Sequence, residues 1–112
     1  MSAITTDLVD YEGELVAIIG THARHVTPDN ALAHVAGYTV MNEGTVRDWA
    51  KMRTQNLPSK NFHRSGGIGP WMVTADEIAD PMKLHIKTRR NGSVVQDGGT
   101  ELMIFDVKYL IA

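Results

Sequence analysis

Two glutamates stand close together in the segment DYEGELVAIIG, where they precede an apolar run. Side chains at positions i and i+2 of a strand point to the same face, so Glu12 and Glu14 would project together from Cα atoms about 6.5–7 Å apart. Converging carboxylates repel each other unless a cation lies between them, and oxygen ligands of this kind suit Mg²⁺, Mn²⁺ or Ca²⁺. The spacing is also consistent with a solvated strand end, and by itself it favours that simpler interpretation.

A third acid adds to the cation hypothesis. Glu43 follows the predicted strand Tyr38–Asn42 and precedes Gly44 and the start of a predicted helix. Strand ends beside helix starts are frequent locations of functional sites in mixed folds. A carboxylate there would complete a three-acid site with open positions for water or substrate. The alternative is that Glu43 only complements the dipole of the helix.

Local patterns predict the elements that would position these acids. Glu12–Ile19 alternates as a strand does and becomes apolar on both faces after its first three residues, which is typical of a strand covered on both sides. Thr27 and Pro28 indicate the start of a helix that Gly37 would end. A second helix is predicted over Thr45–Met52, with its first threonine as the N-cap.

The second half of the chain is richer in strand and turn signals than in helix signals. Asn91-Gly92 is a strong two-residue hairpin signal, and Asp106 is a suitable N-cap for a short final helix. The predicted elements are a loop over Gln55–Gly69, a strand over Pro70–Thr74, a helical turn that ends at Pro81, and hairpin strands Leu84–Thr88 and Ser93–Gln96. Together the patterns predict an α+β, mainly β domain.

The composition bounds the class of protein. The chain has 112 residues, of which 43% are hydrophobic and 21% charged, with a formal net charge of −2 and no cysteine. These values argue against disorder, exclude disulfides and thiolate metal sites, and offer no basic field for nucleic acid or an anionic membrane. The longest apolar run, Leu15–Ile19, is too short to span a bilayer. We therefore expect a soluble, cytoplasmic protein without a nucleic-acid or membrane partner.

The motifs point to a family when they are taken in order. The chain contains, from about Asp10 to Ala112, the segments YEGEL, NEGTVRDW, KNF, GPWMVTADEI and LMIFDVKYLIA. This series resembles the fumarylacetoacetate hydrolase family, and most closely its bacterial branch that acts on intermediates of aromatic catabolism. The resemblance implies a partial form of the family's mixed β-roll with short helices, in which residues 1–10 are a lead-in and residues 11–112 a partial catalytic domain.

The resemblance also implies a chemistry. Members of the family bind Mg²⁺ or Mn²⁺, with Ca²⁺ as a further option, and act on carbon–carbon bonds beside 1,3-dicarbonyl or 2-oxo-acid groups. The reactions are hydrolysis, decarboxylation or tautomerisation, and the metal stabilises the enolate as it forms. An acylpyruvate-type 2-oxo dicarboxylic acid is therefore the expected substrate class.

The resemblance gives roles to six residues. Glu12, Glu14 and Glu43 match the metal ligands, although many relatives carry aspartate at the third position. Lys60 matches a lysine that faces the substrate, where an ammonium group could stabilise enolate charge or transfer a proton. Without the resemblance, a solvated loop lysine would be the simpler interpretation.

Two further residues match positions near the substrate. Arg47 matches an arginine associated with substrate carboxylates, for which its fork geometry is suited, and its alternative is a helix charge that is paired locally. Thr100 matches a threonine near the substrate. The chain departs from the pattern at Ala50, where many relatives have a glutamine that reaches substrate or water.

The resemblance also predicts a domain truncated at both ends. A segment with a lid histidine and glutamate precedes the E-x-E strand in relatives, and a region with P-G-D and T-G-T-P motifs follows the segment that ends here at Ala112. We expect the resulting open edges and apolar surface to be covered in a homo-oligomer, a dimer or larger. The alternative to an enzyme is a catalytically inactive fragment that folds as an oligomer and binds metal or a small acid.

Overall fold

A computed structural model describes residues 8–51, 54–55 and 57–112. Strands dominate the described residues, and the helices are four or five residues long. The strands are β1 Val9–Asp10, β2 Gly13–Ile19, β3 Val35–Glu43, β4 Thr45–Val46, β5 Gly66–Ile68, β6 Val73–Thr74, β7 His85–Arg90 and β8 Ser93–Gly99. The α-helices are α1 Pro28–Ala31, α2 Arg47–Ala50, α3 Leu57–Lys60 and α4 Val107–Ile111. Short 3-10 turns cover Leu32–His34, Ala75–Glu77, Pro81–Lys83 and Thr100–Leu102. The predicted α+β, mainly β class is confirmed.

The long antiparallel pair of β2 and β3 organises the fold. Strands β5 and β6 both pair with the other side of β3, while β1 pairs with β4 and β7 with β8. The register places Gly13 opposite Asn42 and Glu14 opposite Met41. The start of β2 therefore lies beside the end of β3, which is the end that carries Glu43.

The core lies under the β2–β3 pair and is closed by the last helix. Val35, Tyr38 and Val107 are buried, and Leu15 and Ile111 are among the apolar side chains that pack against them. The residues of β2 are half-buried on both faces, except for Ile19 at its end, which is exposed. The prediction of a strand covered on both sides is thus confirmed only in part, because neither face is fully buried. None of the described helices has the length and apolar character that a membrane span requires.

The first helix is shorter than predicted. It ends at Ala31, and after one 3-10 turn the chain enters β3 at Val35, so that Gly37 lies within a strand. A Cβ atom at Gly37 would clash with the carbonyl oxygen of Val73 on β6. The glycine allows close approach of a neighbouring backbone and does not end a helix.

The prediction of a helix over Thr45–Met52 was wrong at its start. Thr45 and Val46 form β4, which pairs with β1, and the helix begins at Arg47. The Thr45 hydroxyl donates a hydrogen bond to Glu12 instead of capping the helix. The predicted end at Met52 falls outside the described residues.

Among the remaining predictions, those that rest on local signals are confirmed, and those that depend on strand pairing are less accurate. Asn91 and Gly92 both have positive φ and join β7 to β8, and the Asp106 carboxylate accepts a 2.7 Å bond from the Tyr109 amide at the start of α4, so both signals are confirmed. The loop predicted over Gln55–Gly69 was wrong in part, because it contains α3 and β5. Strand β5 has weak propensity, and its pairing with β3 stabilises it. The strand predicted over Pro70–Thr74 contracts to β6. The predicted helical turn is present as the 3-10 turn Ala75–Glu77, but it ends before Pro81, where a second 3-10 turn begins. The division at residue 10 stays a prediction.

Candidate metal centre

The structure brings the three predicted ligands together. Glu12 directly precedes β2, Glu14 is the second residue of that strand, and Glu43 is the last residue of β3. The Glu43 amide donates a 2.9 Å hydrogen bond to the Glu12 carbonyl oxygen, which extends the strand pairing to this end. One carboxylate oxygen from each glutamate lies within 4.8 Å of the other two.

This spacing fits a hard divalent cation. Opposite ligand oxygens are separated by about 4.2 Å around Mg²⁺, whose bonds are about 2.1 Å long, and by about 5 Å around Ca²⁺. The 4.8 Å limit on the three glutamate oxygens lies between these two values, and carboxylates are the ligands that such ions prefer. The acids are therefore close enough to share one cation with only small side-chain movements.

A lysine already approaches two of these acids. Lys60 is the last residue of α3, and its Nζ contacts Glu12 Oε2 and lies 3.0 Å from Glu43 Oε2. The side chain is 20% exposed, so it is not the solvated loop lysine of the alternative interpretation. Burial lowers the pKa of Lys60, but the hydrogen bonds and charges of the two carboxylates prevail and raise it. The ammonium group is therefore protonated at neutral pH.

Glu12 has partners at both carboxylate oxygens. The hydroxyl of buried Thr45 donates a 2.7 Å hydrogen bond to Oε1, and Arg47 Nη2 lies 3.0 Å from the same oxygen. Burial raises the pKa of Glu12, but the bonds from Lys60 and Thr45 outweigh it and lower the pKa. Sequence reasoning missed Thr45 as a partner, because its position suggested a helix cap.

Glu14 has the opposite electrostatic balance. Burial raises its pKa first, and the nearby negative charge of Glu43 raises it further. Lys60 opposes this rise without cancelling it. A bound cation would therefore favour the ionised form of Glu14.

Arg47 lies at the start of α2 and is held by acids. Its Nε lies 2.8 Å from Asp10 Oδ2, and the side chain remains 47% exposed. The hydrogen bond with Asp10 raises the pKa of Arg47 and lowers that of Asp10. The local pairing that the sequence left open is present, and a role toward substrate carboxylates stays a prediction.

Thr100 is buried, and its hydroxyl bonds to backbone. It accepts a 3.0 Å bond from the Leu84 amide and donates a 3.2 Å bond to the Leu84 carbonyl oxygen. The residue lines a depression of about 510 Å³ together with Glu14. The structure thus places Thr100 and one of the three acids, Glu14, in the lining of the same depression, and its contact with a substrate stays a prediction.

Comparison with known proteins gives one family. Residues 2–112 match the profile of the fumarylacetoacetate (FAA) hydrolase C-terminal domain. The chain is 44% identical over 106 residues to human oxaloacetate tautomerase FAHD2A, mitochondrial, and 40% identical over 119 residues to the fumarylacetoacetate hydrolase domain-containing protein 2 homolog of Dictyostelium discoideum. These matches cover 93% and 97% of this chain, and 34% and 39% of the relatives. The chain therefore spans little more than a third of their length.

Solved structures agree with the sequence matches. The chain is similar to a fumarylacetoacetate hydrolase from Exiguobacterium antarcticum, with a TM-score of 0.90 and 43% identity over 96% of this chain and 38% of that one. It is also similar to 2-hydroxyhepta-2,4-diene-1,7-dioate isomerase from Mycobacterium marinum, with a TM-score of 0.88 and 34% identity over 96% of this chain and 41% of that one.

Proposed function

The chain belongs to the fumarylacetoacetate hydrolase family, and on this premise we propose that residues 11–112 are part of a divalent-metal-dependent catalytic domain. The substrate class is a 2-oxo dicarboxylic acid of the acylpyruvate type, an intermediate of aromatic catabolism. The observation that carries the proposal is the convergence of Glu12, Glu14 and Glu43 beside the Lys60 ammonium group.

Each site residue has a task in this proposal. Glu12, Glu14 and Glu43 hold Mg²⁺ or Mn²⁺, with Ca²⁺ as a weaker candidate. When bound, the cation supplies Lewis-acid polarisation of the substrate's oxo-acid oxygens.

The other three residues act on the substrate itself. Lys60 lies against the acid cluster and either stabilises negative charge on the enolate oxygen or moves a proton. Arg47 orients a substrate carboxylate with its half-exposed side chain, and Thr100 lines the same depression as Glu14. The names of the relatives favour tautomerisation or isomerisation among the reactions of this class. A cytoplasmic location stays a prediction, and the human relative is named as mitochondrial.

The activity is tested by ultraviolet absorbance of the enol forms of oxaloacetate and an acylpyruvate. We expect metal-stripped protein to be inactive and to gain turnover when Mg²⁺ or Mn²⁺ is added, with EDTA reversing the effect. Keto–enol exchange alone would indicate a tautomerase, CO₂ release a decarboxylase, and two acid fragments a hydrolase. Metal binding without any turnover would contradict the enzyme proposal and support the inactive relative, the alternative that Ala50 favours.

We further propose that the chain forms a homo-oligomer through the surface around α4. Large apolar side chains are exposed there, namely Leu102, Ile104, Phe105, Tyr109 and Leu110, with Ile104 92% exposed. An aromatic side chain can bury about 150–250 Å², and these five residues are 53–92% exposed, so together they supply a large part of the roughly 800 Å² per partner of a standard interface.

The oligomer is tested by light scattering on a size-exclusion column at micromolar concentration. We expect a dimer or larger assembly that Ile104→Lys dissociates, because the change buries a charge in the apolar contact. Val94→Lys on β8 is the matched control, since Val94 is 49% exposed on the separate hairpin. A compact wild-type monomer would contradict the proposal.

A further inference from the structure

The two glutamates of the E-x-E motif flank a residue on an open strand edge. Strand β2 lies at the end of its sheet, so one side of its backbone has no strand partner in that sheet among the residues that the structure describes. Just before β2, the Glu12 backbone groups face β3. The Glu12 amide donates a 3.0 Å hydrogen bond to Asn42 Oδ1, and the Glu12 carbonyl oxygen accepts one from the Glu43 amide. The next residue, Gly13, turns its backbone groups to the open side, as alternation along an antiparallel strand requires.

A glutamine side chain occupies that open side. Gln96 Oε1 accepts a 2.9 Å hydrogen bond from the Gly13 amide, and Gln96 Nε2 donates a 2.7 Å bond to the Gly13 carbonyl oxygen. This pair of bonds is the one that an opposing strand residue would make. One side-chain amide, 83 residues away in the chain, thus replaces a neighbouring strand at the residue between the two acids.

The glutamine is itself held in place by the β7–β8 hairpin. Thr88 is opposite Gln96 in the hairpin, and its hydroxyl donates a 3.0 Å bond to Gln96 Oε1. The Tyr11 hydroxyl donates a 2.7 Å bond to the Val95 carbonyl oxygen on the same strand. The hairpin therefore forms hydrogen bonds with both residues that adjoin Glu12 in the chain, namely Tyr11 and Gly13.

We propose that Gln96 is a positioning residue for the acid cluster: by fixing the Gly13 backbone it sets the directions of the Glu12 and Glu14 carboxylates toward a divalent cation. The inference rests on the metal centre of the proposed function. A ligand pair that is held in position before the cation arrives loses less freedom on binding, and partners that orient ligands commonly change metal affinity by about 10–100-fold.

The test uses Gln96→Met, which keeps the length of the side chain and removes both hydrogen bonds. We expect the Gly13 amide to exchange with deuterium roughly tenfold faster by NMR, because one protecting bond is lost. We also expect the affinity for Mn²⁺, measured by calorimetry on folded protein well below its melting temperature, to fall about tenfold or more. Thr88→Val should give a smaller loss of the same kind, and it carries the test if Gln96→Met does not fold.

A substitution on the same strand separates this role from general loosening of the hairpin. Val94→Thr changes an exposed side chain of β8 and should leave both measurements unaltered. Faster Gly13 exchange with unchanged Mn²⁺ affinity would mean a merely structural role and would overturn the proposal. Wild-type protein that binds no Mn²⁺ would instead refute the metal centre itself, so the two failures are distinguishable.

Discussion

Replacing Lys60 with methionine should strengthen Mn²⁺ binding by roughly tenfold while lowering turnover by at least roughly 100-fold. The ammonium group contacts Glu12 Oε2 and lies 3.0 Å from Glu43 Oε2. A divalent cation and this ammonium group therefore compete for the same oxygens and repel each other. Removing the lysine frees the ligands but also removes the only cationic side chain that the structure places against two of the three acids within the described residues. Metal affinity and catalysis should thus change in opposite directions.

Calorimetry with Mn²⁺ and the enol absorbance assay measure the two effects on the same preparation. Lys83→Met is the matched control, because Lys83 is 82% exposed and pairs with Asp80 away from the acids. Weaker metal binding in Lys60→Met, or turnover equal to that of the wild type, would contradict the assigned role.

Glu14→Gln should lower the affinity for Mn²⁺ by at least roughly 100-fold, which corresponds to about 2.7 kcal/mol of binding free energy. The amide keeps the size of the side chain but removes a negative charge and a strong ligand oxygen. Metal-free protein should keep or increase its melting temperature, because burial and the charge of Glu43 both disfavour the ionised form of Glu14. The variant should therefore lose the stabilisation that Mn²⁺ confers on the wild type.

Thermal unfolding with and without Mn²⁺ checks both parts of this expectation. Glu77→Gln is a suitable control, since Glu77 belongs to an exposed 3-10 turn and its carboxylate accepts a bond only from Thr74 among the partners that the described residues show. A Glu14→Gln protein that binds Mn²⁺ as the wild type does would exclude Glu14 from the ligand set. A marked drop in metal-free melting temperature would contradict the electrostatic argument.

The successful predictions depend on neighbours in the chain. Glu12 and Glu14 share a face because side chains alternate along a strand. The Asn91-Gly92 turn follows from the backbone freedom of its two residues, and the Asp106 cap from the reach of one carboxylate to an amide three residues on. Each of these features involves only a few consecutive residues.

The errors arose where a local signal had a distant partner. Thr45 has the character of an N-cap, but it lies in β4 opposite β1, and its hydroxyl bonds to Glu12. Gly37 resembles a helix stop, but it serves the close approach of β6. Tertiary contacts outweighed intrinsic preference at both positions.

From its sequence alone, this protein could be assigned its α+β class, its hairpin, the E-x-E pair and a family resemblance. Only the tertiary structure showed that Glu43 closes on Glu12 and Glu14, that Lys60 reaches into the cluster, and that Gln96 holds the backbone between the acids. The reason is physical: side-chain alternation and caps depend on adjacent residues. Strand register and side-chain reach instead depend on packing and hydrogen bonds between residues 17 to 83 positions apart.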